Sequence, residues 1–208
     1  VSAQGAGRVD VTATAGSLTM AAAAATTTQN ADVTYTAANS IAVGALTTDA
    51  TNGNVRLTAQ TGAVTDANGA ALNITTNVLT ASAATGIGSG ADPLDTTIAT
   101  LAASTSGTGP IAVNETNGVT LINVIAANGP VTVTAGGTIN AHKVVSSTDA
   151  DANDIALTAT GGGSLAIDEV NAGTANGDVL LSATTGAATI TTNANGRVTG
   201  DTLTVALS

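Results

Sequence analysis

The chain has 208 residues, of which 43% are hydrophobic and 9% are charged, and its formal net charge is −10. Phosphate binding needs clustered basic side chains, so four Lys and Arg residues in an acidic chain argue against nucleic acid as a partner. Cysteine is absent, which excludes disulfides and thiolate metal sites. No uncharged apolar run approaches the length of about 20 residues that a membrane span needs, and no signal peptide is visible at Val1.

Large side chains are scarce. Trp and Phe are absent, Tyr35 is the only aromatic residue, and Met20 is the only Met. A core built from Val, Leu, Ile and many Ala residues must be thin, with closely approaching backbones. A long, narrow and repetitive architecture satisfies this requirement better than a sphere does.

A short phrase recurs along the chain, in which apolar and polar residues alternate and Ala usually closes the phrase. The steps between its closing positions are 24, 22, 22, 22, 32, 24, 24 and 24 residues. We interpret the long step, which holds 111–113 and 119–122, as a coil with a lengthened or additional strand. The copies occupy residues 9–13, 33–37, 55–59, 77–81, 99–103, 131–135, 155–159, 179–183 and 203–207.

Each repeat carries further strand signals after a Gly or Asn turn, such as 62–65 and the weaker 71–74. Three short strands in roughly 22–24 residues predict an all-β parallel β-helix, or β-solenoid, of about eight coils. Equivalent strands would lie about 4.8 Å apart and form a rod on the order of 40 Å long. We expect residues 1–208 to be a single solenoid domain or a segment of a longer solenoid.

Alternation within the phrase predicts which side chains fill the interior. Val55, Leu57 and Ala59 would face inward, with the residues between them outward. The pattern is imperfect in the fourth copy, where Asn77 would point inward and Val78 outward. A string of β-sandwich modules is disfavoured by the short period and the missing Trp, and helices are disfavoured by the lack of i, i+3, i+4 spacing.

The segments 53–59, 109–115 and 177–183 resemble the repeats of filamentous-haemagglutinin-type adhesins and the β-solenoid stalks of large autotransporters. The resemblance extends from Val9 to Leu207 and rests on short phrases. It implies a right-handed parallel β-helix, export to the extracellular space or the bacterial cell surface, and an adhesive or fibrous role. It carries no catalytic residues to this chain, and neither a secretion domain nor an export signal is visible.

Alternating oxygen side chains make one candidate metal site. Asp149, Asp151, Asn153 and Asp154 have the spacing that opens a Ca²⁺-binding loop, but the Gly and Glu that complete an EF-hand are missing. Ca²⁺ is therefore the one candidate cofactor, and a solvated acidic turn is the alternative.

Catalytic chemistry finds little support in the sequence. His142 is the only His, and Asp168 and Glu169 are neighbours that would point to opposite faces of a strand, with a coil corner as the alternative. A polysaccharide lyase would need a basic residue in a carboxylate-lined groove. Three of the basic residues, Arg56, Lys143 and Arg197, are too scattered along the sequence for any of them to be nominated. We therefore expect a protein that is not an enzyme.

The two ends of a solenoid present unpaired strand edges, which natural proteins cap. Neither end looks capped, so we expect copies to stack end to end into a stalk or fibre through Val9, Val11, Leu203 and Val205. A host surface or a glycan is a further candidate partner. An ice- or glycan-binding module remains the alternative, because outward Thr residues could form a flat row.

Overall fold

The computed structural model describes all 208 residues, Val1–Ser208, as one β-solenoid of about nine turns without a helix. Equivalent strands of successive coils pair in parallel along the whole chain. The predicted all-β parallel fold is confirmed, and the number of coils is close to the eight expected. No segment has the helical length and apolar character required to cross a membrane.

Twenty-one strands form the wall, and most contain three to seven residues. They are β1 (Ser2–Ala3), β2 (Val9–Ala13), β3 (Leu18–Thr19), β4 (Ala25–Thr28), β5 (Val33–Ala37), β6 (Ile41–Val43), β7 (Ala45–Thr47), β8 (Asn54–Ala59), β9 (Val64–Asp66), β10 (Ile74–Ala83), β11 (Leu94–Thr108), β12 (Ile111–Glu115), β13 (Val119–Asn128), β14 (Val131–Ala135), β15 (Ile139–Ala141), β16 (Val144–Ser146), β17 (Ile155–Ala159), β18 (Leu165–Asn171), β19 (Val179–Ala183), β20 (Ile190–Thr199) and β21 (Leu203–Leu207).

The strands stack in three columns. The first column contains β2, β5, β8, the later parts of β10 and β11, β13, the pair β15 and β16, β18 and β20. The second contains β3, β6 and β9 and continues through single bridges at Ile87 and Ile111. The third contains β1, β4, β7, the first parts of β10 and β11, then β12, β14, β17, β19 and β21. Because β12 continues both the second and the third column, the two merge there.

The repeated phrase changes column at the long step. Its first five copies lie in the first column, whereas the four copies from 131–135 onward lie in the merged third column, above β12. The interpretation of this step as a coil with a lengthened or additional strand is correct in that β12 and β13 are additional strands, but these strands do not belong to one longer coil. Ala103 pairs with Val124, 21 residues later, and Val113 pairs with Val133, 20 residues later. The coils here are short, and β12 and β13 are complete rungs.

The fourth and fifth copies are offset by two residues from the alignment of the phrases. Leu79 pairs with Val55, and Ala83 pairs with Ala59. A shift of two residues leaves the alternation of side chains intact, so Leu79 is buried as predicted. Asn77 lies where the two parts of β10 meet and is half-buried, so its predicted place in the core was wrong.

The interior is one continuous cluster of 42 buried hydrophobic residues, nearly all Val, Leu, Ile and Ala. Tyr35 is the single aromatic member, and its hydroxyl is 2.6 Å from Thr26 Oγ1. Most polar groups that enter the interior are paired in the same way, because an unpaired buried polar group is costly. The hydroxyls of Thr48 and Thr76, for example, lie 2.6 Å apart. Thr105 Oγ1 and Asp66 Oδ2 are the exceptions.

Candidate functional site

The C-terminal coil exposes the row of side chains that fills the interior elsewhere. Leu203, Val205 and Leu207 are 50%, 51% and 57% exposed. They stack in register on β19, where Val179 and Leu181 are 1% and 2% exposed. The strand β21 pairs with β19 alone, so its other edge has no partner. An apolar row and a free backbone edge therefore coincide on this end of the solenoid.

The N-terminal coil is less open. Val9 is 7% exposed and Val11 is half-buried, and β2 pairs with β5 alone. Arg8 stands before the strand, and its Nε lies 2.6 Å from a carboxylate oxygen of Asp10. Both ends predicted to assemble thus have a free strand edge. The C-terminal edge carries exposed apolar side chains, whereas the N-terminal edge lies beside an exposed ion pair.

The first member of the Ca²⁺ candidate connects two coils. The two carboxylate oxygens of Asp149 accept four backbone N–H groups from residues 174–177 of the next coil, at 2.8–3.0 Å. These bonds favour the ionised form, and the pKa of Asp149 is lowered by them, with the N–H of Thr174 contributing most. Both oxygens face N–H donors and are not arranged to hold a cation.

The other candidate ligands are directed to separate partners. The Asn153 amide donates to Asn128 Oδ1 and to the Thr148 carbonyl, and Asp154 Oδ1 accepts the N–H of Asp178 at 3.0 Å. Asp151 is exposed. No group of three or more His, Asp or Glu side chains has the arrangement of a metal site.

Acid should weaken the contact between Asp149 and the next coil. A lowered pKa stabilises the fold at pH values above the ordinary value of the group, and this contribution is lost as the pH falls through the lowered pKa. We expect Asp149→Asn to melt at a lower temperature than the unaltered chain at neutral pH, because the amide NH₂ faces N–H donors. The two melting temperatures should converge on acidification. Asp151→Asn is the control, and equal melting curves for Asp149→Asn and Asp151→Asn at pH 7 would contradict the assignment.

A second polar feature lies where the first column bends. In each C-terminal coil two consecutive side chains point outward at the bend, between buried residues. The pairs are Ile122 and Asn123, His142 and Lys143, and Asp168 and Glu169. In β20 residues 193–196 occupy the place of Asp168, and the strand resumes with Arg197 beside Glu169. We call seven of these side chains the polar corner: His142, Lys143, Asp168, Glu169, Asn193, Asn195 and Arg197.

Hydrogen bonds order the polar corner across three coils. His142 Nδ1 lies 2.5 Å from Asp168 Oδ2, and the Asn193 amide donates to the other carboxylate oxygen. Arg197 Nη2 lies 3.3 Å from Glu169 Oε1. The His142 hydrogen bond is the main cause that lowers the pKa of Asp168. Asp168 therefore remains ionised near neutral pH and accepts the Nδ1 proton of His142.

The sequence reasoning missed this cluster for a geometric reason. It expected Asp168 and Glu169 on opposite faces of a regular strand, which was wrong because both lie on the outside where the register shifts; the alternative, a coil corner, agrees with the structure. It also treated Lys143 and Arg197 as scattered, whereas the coils bring them to the same corner; Arg56 lies several rungs away. A pair of polar residues at the same place in successive coils was the signal that could have revealed the bend.

An outward row of hydroxyls runs along the first column. Its members repeat at about 4.8 Å, and the phrase alignment missed the row because two copies were offset. The row of hydroxyls consists of Thr12, Thr36, Thr58, Ser82 and Ser104. The adjacent row is interrupted by Asp10, Arg56 and Ala102. The face is thus not the uninterrupted Thr array on which the ice-binding alternative depends.

Comparison of the chain with protein-family models, with curated proteins and with solved structures gives no match. The fold is established by the stacked coils themselves, and function has to be argued from the open terminal coil and the polar corner.

Proposed function

We propose that this chain is a non-enzymatic structural segment of a bacterial cell-surface or secreted fibrous protein, in which solenoid segments join end to end into a stalk or fibre. One observation carries the proposal: Leu203, Val205 and Leu207 continue the buried core row and yet are about half exposed. Exposed apolar rows beside a free strand edge favour the addition of a further strand.

The partner that fits this end is another coil of the same kind. A further rung would receive backbone hydrogen bonds from β21 and would cover its apolar row, as β21 itself covers β19. The phrase in β2 has the matching alternation, with Val9 and Val11 on the inner face. We therefore take the N-terminal coil of a second copy as the partner of the purified chain; adjoining coils of a longer chain would make the same contact.

A head-to-tail contact leads to an extended assembly. Each copy would use a different surface at each end, so every addition leaves a new free end and the contact does not close on itself. The repeated phrases and their resemblance to adhesin stalks support the placement outside the cell. A non-enzymatic role is consistent with the use of many polar side chains in contacts between coils, such as Asp149 with residues 174–177.

Self-association of the purified chain tests the proposal. We expect the sedimentation coefficient to rise with concentration and electron micrographs to show rods joined at their ends. Val205→Lys places an ammonium group in the apolar row and should raise the dissociation constant at least about tenfold. A chain that remains monomeric at high concentration would refute the self-assembly.

The matched control is Leu180→Lys. Leu180 is 38% exposed and lies on the outer face of β19, where a further coil would not cover it. It should leave association unchanged. Equal effects of the two lysines would indicate side-by-side aggregation through exposed apolar residues and would contradict stacking at the ends.

A further inference from the structure

The polar corner forms a depression with a distinct chemical character. Side chains from three successive coils line it, and none of them is apolar. Asp168 holds His142 and Asn193, so the walls are joined to one another by hydrogen bonds. A site without apolar lining does not suit aromatic or aliphatic ligands, and it favours a small, highly polar molecule.

The corner also concentrates the positive charge of an acidic chain. Two of the four Lys and Arg residues and the only His lie here, in a chain with a net charge of −10. They are Lys143, Arg197 and His142. The charged groups that face them are Asp168 and Glu169, and the preceding rung, in β13, contributes only the neutral Ile122 and Asn123. The local charge is near neutral, in contrast with the rest of the molecule.

Several donors and acceptors of the corner remain free for a ligand. Asp168 uses both oxygens within the protein, whereas His142 contributes Nε2 and a half-exposed ring. Arg197 uses one amino group on Glu169 Oε1, which leaves further N–H donors and the second oxygen of Glu169. Guanidinium groups bind carboxylates in a forked geometry, and carboxylate oxygens accept hydrogen bonds from hydroxyl groups.

We propose that the polar corner binds an acidic sugar residue, with the ligand carboxylate on Arg197 and its hydroxyls on Glu169, Asn195 and His142, the side chains that line the depression with Asp168. An anion without hydroxyl groups would have no hydrogen-bond donor to offer to the two carboxylates of the corner. A neutral sugar would have no carboxylate to offer to its cations. A molecule that carries both a carboxylate and hydroxyl groups satisfies both halves of the site. This site does not depend on end-to-end stacking of the chain.

Asp168 fixes the orientation of the imidazole of His142. It accepts the Nδ1 proton, so the ring offers Nε2 as an acceptor to a ligand hydroxyl. Asp168 acts as a positioning residue, which sets the ring orientation without touching the ligand.

Titration of the intact ¹⁵N-labelled chain with D-glucuronate tests the site. Amide signals of residues 142–143, 168–169 and 193–197 should shift with saturation at millimolar ligand. D-glucose and inorganic sulfate are the comparison ligands. Equal binding of glucose would overturn recognition of the carboxylate, and equal binding of sulfate at these residues would overturn recognition of the sugar. An absence of shifts would refute the site.

Three variants separate binding from structure. Arg197→Gln should weaken glucuronate binding about tenfold or more. Arg56→Gln, which removes an exposed Arg elsewhere, should not change it. Glu169→Gln keeps an acceptor oxygen for the ligand hydroxyl but removes the charge that competes for Arg197, so it should tighten binding about threefold. A purely structural corner predicts no gain, so unchanged or weaker binding in Glu169→Gln would contradict the proposed contacts.

Discussion

Gly109→Ala should destabilise the solenoid by about 3 kcal/mol or more. A Cβ at this position would lie 1.7 Å from the carbonyl oxygen of Thr85 in the preceding coil, and the next coil approaches just as closely, because a Cβ on Gly129 would lie 2.1 Å from the Gly109 carbonyl oxygen. The obstacle is backbone on both sides, so neither rung can move away without breaking the parallel stack. Chemical denaturation followed by circular dichroism would measure the loss.

Gly90→Ala is the matched control for this change. Gly90 is exposed, and a Cβ there would meet no heavy atom within 4 Å. The free energy of unfolding should change by less than about 0.5 kcal/mol. Similar losses in the two variants would mean that the glycines matter through backbone freedom in general, and would contradict an argument based on the close approach of coils.

Glu115→Ala should lower the free energy of unfolding by about 2–3 kcal/mol. Glu115 is 2% exposed, and its carboxylate accepts the Thr96 hydroxyl at 2.6 Å and the backbone N–H groups of Ile98 and Asn117 at 3.0 Å. Removal of the carboxylate leaves the Ile98 N–H and the Thr96 hydroxyl without this acceptor in the interior. Denaturant titration of the purified variant would give the difference.

The pH dependence of this loss has a definite sign. Burial raises the pKa of Glu115, so the folded chain holds its proton to higher pH than the unfolded chain does. The stability that Glu115 confers is therefore greatest below the ordinary pKa of a Glu side chain. It should decrease as the pH rises through that value and then through the raised pKa.

Glu169→Ala is the control for Glu115→Ala, since it removes a Glu from the surface and should cost about 0.5 kcal/mol. An equal loss in both variants would refute the assigned role.

Much of the wall could be derived from local pattern. Alternation in 55–59 and 131–135 gave the inward residues correctly, and Val55, Leu57 and Val133 are fully buried. The parallel pairing of equivalent phrases also followed from their spacing. These features are predictable because strand geometry forces every second side chain to the same face, whatever the neighbouring coil contributes.

Register and column could not be derived in the same way. A shift of two residues conserves alternation, so the phrase alone could not distinguish the pairing of Leu79 with Val55 from the alignment that was assumed. The transfer of the phrase from the first to the third column depends on β12, where two columns merge. Such choices are made by contacts between coils, which are absent from any single repeat.

The sequence by itself determined that this protein is a parallel solenoid with a slender aliphatic interior, because its period and alternation allow little else. Only the tertiary structure decided which polar residues meet. His142, Asp168 and Arg197 come from three different coils, and they converge because the wall bends between Asp168 and Glu169 and directs both side chains outward. This departure from regular alternation is visible only against the neighbouring rung, where the register shifts between Ile167 and Glu169, and the regular geometry of an isolated strand does not contain it.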